Sequence, residues 1–309
     1  MSCSYVYNEL DMVRTTSGIS GLKMRFQQIV RNNQSRAVHL LNDQTLSFPS
    51  FYLLIPQINA YHLEEYLSLK NQSAIAFTQN NPIDDISPAS DFLKWMLLSS
   101  IKQELDDDTF QEVIDRVVIQ LLLVFHEHAL LPMVVQLIFV RNRKDQCIYD
   151  LCWAVYQAQT VLTMSLIAKQ IKSNHKKDQD LAYKLLNFKP ELQPKDRYQQ
   201  YHNFCRWFEE NKPFLHFANE SMQETCQPKY WRVNLPAKYL CKNCFNDDLF
   251  SESEQEQINA FLSLNRPSQK ILSKYSYRLY QKDQYAWQKW IESSIDMQLD
   301  ACSKELEGK

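Results

Sequence analysis

Glycine is almost missing from this chain: 309 residues contain three, Gly18, Gly21 and Gly308. Ordinary proteins run near 7%. Left-handed turns and close approaches of backbone to phosphate default to glycine, because it has no Cβ. A dinucleotide-binding fingerprint is therefore excluded. So is a P-loop, since Gly18 and Gly21 stand too close together and no Gly-Lys-Ser/Thr follows. A glycine-rich kinase loop and a G-x-S-x-G nucleophile elbow are missing as well. A chain this poor in glycine is expected to wind into helices.

The apolar pattern agrees, for it repeats at three- and four-residue steps. Leu22, Phe26, Ile29, Val30, Ala37, Leu40 and Leu41 predict one amphipathic helix over 20–42, with Asn33 as the only break in its stripe. Phe48-Pro49 restarts the chain toward Leu69, and Pro56 is expected to kink or divide that segment. Residues 71–90 read as a connection. A helix from Ser90 is expected to turn Phe92, Trp95, Met96 and Leu98 inward. Asp106-Asp107-Asp108 reads as a helix cap. The most apolar stretches, 109–140 and 148–171, predict the central core, with Arg141, Arg143 and Lys144 in a turn between them. Residues 117–140 are interrupted by Gln120, His126, Glu127, His128, Pro132 and Gln136. They predict two buried helical pieces meeting near Pro132, not a membrane span.

Three regions follow from these shifts in character: an N-terminal helical domain over 1–172, a polar junction over 173–200, and a C-terminal helical part over 201–309 with an irregular segment at 212–250. In that last part Tyr198, Tyr201, Cys205 and Phe208 form a stripe, and short strands are expected near residues 230–233. Ser251 and Ser253 stand three residues before Glu254 and Glu256, the spacing of a capping box. Asn265-Arg266-Pro267 breaks the chain, and a long last helix is expected over 268–302. The fold class is mainly α: roughly nine to twelve helices, as a multi-helix globular core with a smaller, partly irregular C-terminal part closed by a long amphipathic helix. Apolar residues at 45% and aromatics at 12% supply a core and argue against disorder.

The N-terminus carries Glu9 and Asp11 and no apolar run, so no secretory signal is expected. The eight cysteines are then expected to stay reduced in the cytoplasm. Among them, Cys241-Lys242-Asn243-Cys244 has the spacing of half a zinc site, with Cys226 and His216 as completing ligands and Cys205 and His202 as further candidates. A redox pair and two plain reduced thiols are the alternatives. His126-Glu127-His128 lacks the H-E-x-x-H spacing. On a continuous helix its imidazoles diverge by about 200°; they chelate one ion only if the helix stops there, and the plainer reading is a polar end or wall of a core helix, with the imidazoles hydrogen-bonded.

Arg266, Lys270, Lys274, Arg278 and Lys282 recur every fourth residue. On a helix they form one inclined ridge, a positive strip about 24 Å long. Tyr277, Tyr280 and Tyr285 lie among or beside these charges, and Lys229, Arg232, Lys238 and Lys242 add cations in a stretch without acids. Cations beside aromatics suit phosphates, stacked bases or an acidic protein surface; the plain alternative is a solvated helix face. Trp287 and Trp290 are assigned to core packing. The functional expectation is a soluble intracellular interaction protein, an adaptor or regulatory subunit binding a protein partner through helical faces. Alternatives are a nucleic-acid-associated protein using the 266–282 ridge with a structural zinc, and a helical enzyme whose site is assembled from distant residues.

Overall fold

A computed structural model describes residues 8–81, 89–101, 103–188, 196–220, 229–242 and 251–307. It is mainly α, with sixteen α-helices and two short strands among the described residues. The chain divides into two compact units, Met1–Ala158 and Gln159–Lys309. This division falls upstream of the expected 173–200 junction. Part of that junction is itself helical, over Lys176–Leu186, and residues 189–195 lie outside the described residues. Among the described residues no helix is long and apolar enough to cross a membrane.

The first unit contains α1 (Glu9–Asn32), α2 (Gln34–Asn42), α3 (Phe48–Ala60), α4 (Leu69–Thr78), α5 (Ala89–Ile101), α6 (Asp108–Ile119), α7 (Leu131–Arg143) and α8 (Tyr149–Gln157). The expected single helix over 20–42 is divided at Asn33. That residue leaves helical geometry (φ −161°, ψ 96°), and its side chain caps α2 by accepting from the Arg36 backbone N–H. Pro56 neither divides nor ends α3, which continues to Ala60; the ring sits on the exposed side. Residues 69–78 are helical where a connection was expected, with Ser68 as the N-cap. Leu97, not Leu98, is buried on α5; Leu98 is exposed. Asp107 caps α6 by accepting from Phe110 N–H at 2.7 Å, as the acid run predicts.

Arg141 is no turn residue. It lies on α7, fully buried, where its guanidinium pairs with Glu104 at 2.7 Å and Asp115 at 2.5 Å. A cation removed from water needs such partners. Burial pushes the Asp115 carboxyl up to about 6, against the pull of Arg141. A second buried knot joins α1 to the start of α3: Asp11 accepts from Ser47 N–H at 2.9 Å and from the Ser50 hydroxyl at 2.5 Å.

The second unit contains α9 (Leu162–Ala168), α10 (Lys176–Leu186), α11 (Arg197–Asn211), β1 (Leu215–Phe217), β2 (Trp231–Val233), α12 (Leu235–Tyr239), α13 (Glu252–Leu262), α14 (Arg266–Lys282), α15 (Gln284–Ile291) and α16 (Ile295–Glu307). The strands pair antiparallel, Leu215 with Val233 and Phe217 with Trp231. On α11 the fully covered rings are Phe204 and Phe208, whereas Tyr198 of the expected stripe is exposed. Ser251 and Glu254 close the capping box of α13.

The expected long last helix is three helices. Asp283 has the conformation that Asn33 has (φ −155°, ψ 97°), and its carboxylate caps α15 at Ala286 N–H. A second break at Ser293-Ser294 precedes α16. These folds back let Leu272, Phe261, Tyr239, Trp290, Ile291 and Cys302 share one core. Trp290 packs on Tyr275 and Tyr239, and Trp287 on Tyr280, so both indoles serve packing.

Candidate partner-binding face

Helix α14 starts at Asn265, whose side chain accepts from Ser268 N–H, with Pro267 in the first turn, where its missing N–H costs nothing. Its inner side is Gln269, Leu272, Ser273 and Ser276. Small serines let α14 approach α12 closely. The Ser276 hydroxyl donates to Tyr239 O at 2.5 Å and accepts from the Trp287 indole N–H at 2.7 Å. The packing therefore fixes which side of α14 faces out.

That outer side carries all five cations of the ridge. Arg266, Lys270, Lys274, Arg278 and Lys282 are each exposed. α14 contains no acidic residue, and none of the five forms an ion pair among the described residues. Ile271 and, just before the helix, Leu262 stand exposed as well, at 43% and 52%. Of the other basic set, Lys229 is exposed, with its backbone N–H donating to Glu220 Oε2 at 2.8 Å, and the remaining three differ from the ridge. Arg232 pairs with Glu220, Lys242 pairs with Glu254 at 2.5 Å, and Lys238 is buried.

Between α11 and α14 lies a cleft of about 350 Å³ lined by Asn203, Arg206, Trp207, Glu210, Lys274 and Arg278. Behind it, Lys238 donates to Asn211 Oδ1 at 2.7 Å and lies 5.4 Å from the Tyr277 ring centroid. Burial lowers the Lys238 ammonium to about 8; Glu210 opposes that shift, while Lys274 and Arg278 add to it. The α11 side of this cleft was missed in the sequence. Its signal was Asn203, Arg206, Trp207 and Glu210 at steps of three, one and three, a polar helical face around one large ring.

Of the zinc candidates, Cys226 and Cys244 lie outside the described residues. Cys241 follows α12 with φ 54°, its N–H bonded to Lys238 O. Its thiol contacts Lys238 O and Ser276 Oγ, both at 3.7 Å, and burial pushes it up to about 11. His216 sits on β1 opposite Arg232, and burial and that cation hold its imidazole below its usual range. Among the described residues no group of three or more His, Cys, Asp and Glu is placed to hold a metal.

The His126 region lies at a polar helix end, not on a core wall. A widened turn over Gln120–Val124 ends the helix, Phe125 N–H bonding back to Gln120 O. His126 takes φ 53° and is exposed, as is His128, with ring centroids 6.1 Å apart; Glu127 pairs with Lys94 at 2.6 Å.

No protein-family model, curated protein or solved structure matches the chain.

Proposed function

We propose that this protein is a non-catalytic binding protein, an adaptor or regulatory subunit, that docks an acidic protein partner on the outer side of α14. The observation that carries this reading is the five-cation row, exposed and without ion pairs among the described residues. Long-range attraction to an acidic surface speeds encounter and orients it. Ile271, next to Lys270 on α14, supplies an exposed apolar anchor, which fits an amphipathic acidic helix laid along α14. The free thiols of Cys147, Cys205 and Cys241 suit the reducing cytoplasm.

A nucleic-acid partner is the second reading, favoured by Trp207 beside Arg206, Lys274 and Arg278, a ring among cations where a base can stack. Photo-crosslinking separates the two. A crosslinker placed at Gln281, exposed on α14, is activated in host lysate with and without nuclease. The first reading expects a protein adduct that survives nuclease and is lost when Arg266, Lys270 and Lys274 are changed to Gln. An adduct abolished by nuclease selects nucleic acid, and no adduct rejects the face.

A further inference from the structure

We infer that the cleft between α11 and α14 is a phosphomonoester site, seating a phosphorylated side chain of the acidic partner. This rests on the partner reading above and adds a second point of recognition to it.

The geometry is convergent. Arg206 comes from α11, and Lys274 and Arg278 from α14; the three turn into one concavity with the Asn203 amide and the Trp207 ring. Its volume, about 350 Å³, is near the lower end for ligand pockets. That suits one phosphorylated side chain. Three cations against the single carboxylate of Glu210 leave the lining at net +2, with Lys238 a further cation behind it. A ligand carboxylate brings one negative charge, whereas a phosphomonoester brings about 1.5 to 2 at neutral pH. The phosphate therefore matches what the lining presents.

The site is also held in shape. One Arg206 NH2 donates to Asn203 Oδ1 at 2.8 Å, which steadies the guanidinium and leaves its other donors for phosphate oxygens. Glu210 stands one turn along from Arg206, yet the two form no ion pair among the described residues; its charge instead favours the protonated Lys238. The Trp207 ring packs on Phe204 with centroids 5.7 Å apart, and its carbonyl accepts from Asn211 Nδ2 at 2.6 Å. Asn211 is in turn the acceptor for Lys238. A fixed wall lowers the ordering cost of binding.

Cleft and ridge can be tested apart, because Arg206 belongs only to the first and Arg266 and Lys270 only to the second. The probe is O-phosphoserine alone, titrated into the full chain while the Trp207 indole N–H is followed by NMR, its signal assigned with Trp207→Phe. A saturable shift with a dissociation constant of about 1–10 mM is expected, with none from serine. Arg206→Ala should abolish it, and Arg266→Ala with Lys270→Ala should leave it unchanged. A flat titration, an equal response to serine, or a response that survives Arg206→Ala overturns the site. Adenosine 5′-monophosphate is the second arm: binding more than about tenfold tighter than O-phosphoserine overturns the side-chain ligand in favour of a nucleotide. Phosphoserine binding without any α14 adduct would overturn only the partner reading. An α14 adduct with a flat titration would overturn only the phosphate site.

Discussion

Lys238 donates from Nζ to Asn211 Oδ1 at 2.7 Å, and both side chains are withdrawn from solvent. The ammonium faces Glu210 on α11, Lys274 and Arg278 on α14, and Cys241 just after its own helix. It is a buried charge with one neutral hydrogen-bond acceptor, and its lowered value of about 8 follows from that.

A stability prediction follows from the sign of the shift. The unfolded lysine keeps its proton to its ordinary value of 10.5, whereas the folded one releases it from about 8. Between those values the unfolded state binds more protons, so this group makes the fold more stable as pH rises. Relative to Lys238→Met, the wild type should gain about 1 kcal/mol between pH 8 and pH 9. Denaturant melts at the two pH values measure it, and an unchanged difference would contradict the buried ammonium.

In the first unit, Arg141→Met leaves Glu104 and Asp115 buried beside an uncharged side chain. The expected loss is about 3–5 kcal/mol, as for other buried pairs broken on one side. Replacing Arg141, Glu104 and Asp115 together with apolar residues should recover most of it. Urea unfolding of both variants checks this, and an Arg141→Met variant within about 1 kcal/mol of wild type would rule out the buried pairing.

The Cys241 thiol, pushed up to about 11, should alkylate slowly at pH 8. Mass spectrometry after iodoacetamide should find Cys147, which is exposed, modified at least about tenfold faster. Equal rates would contradict the half-buried thiol and its raised value. An acceleration at Cys241 on adding a chelator would revive the zinc site.

The shortage of glycine leaves a mark on the backbone. Among the described residues, eight non-glycine residues take positive φ: His62, Asn80, His126, Asp145, Gln159, Asn187, Asn219 and Cys241. Asn and Asp tolerate that region through local hydrogen bonds; Gln159, exposed at φ 49°, has no such help. Gln159→Gly should stabilise the protein by about 1 kcal/mol. A lower melting temperature for this variant would contradict the left-handed assignment.

Much of this architecture was written locally. Asp107 and Ser251 with Glu254 announce helix starts because a capping side chain reaches only its own next turn; Asn265, read as a break, is in fact the cap of α14. The exposure of the α14 cations was legible for the same reason, since the four-residue step keeps neighbours on one ridge. What escaped were breaks of a single residue. Asn33 and Asp283 each end one helix and cap the next, so the apolar rhythm resumes almost in phase and reads as unbroken. The burial of Arg141 and Lys238 escaped too, because their partners Glu104, Asp115 and Asn211 lie 26 to 37 residues away. The cleft required Arg206 and Lys274 to meet from separate helices, which no local pattern encodes.

The most direct test of the account is the salt dependence of docking on α14. A fluorescent amphipathic peptide with glutamates along one face is titrated with the full chain across a NaCl series. Charges farther apart than about 8 Å are screened at physiological ionic strength. Affinity for the wild type should therefore fall by at least about tenfold from low to high salt. A variant with Arg266, Lys270 and Lys274 changed to Gln should bind more weakly and respond much less to salt. Identical affinities and salt responses for the two proteins would contradict the assignment of this face.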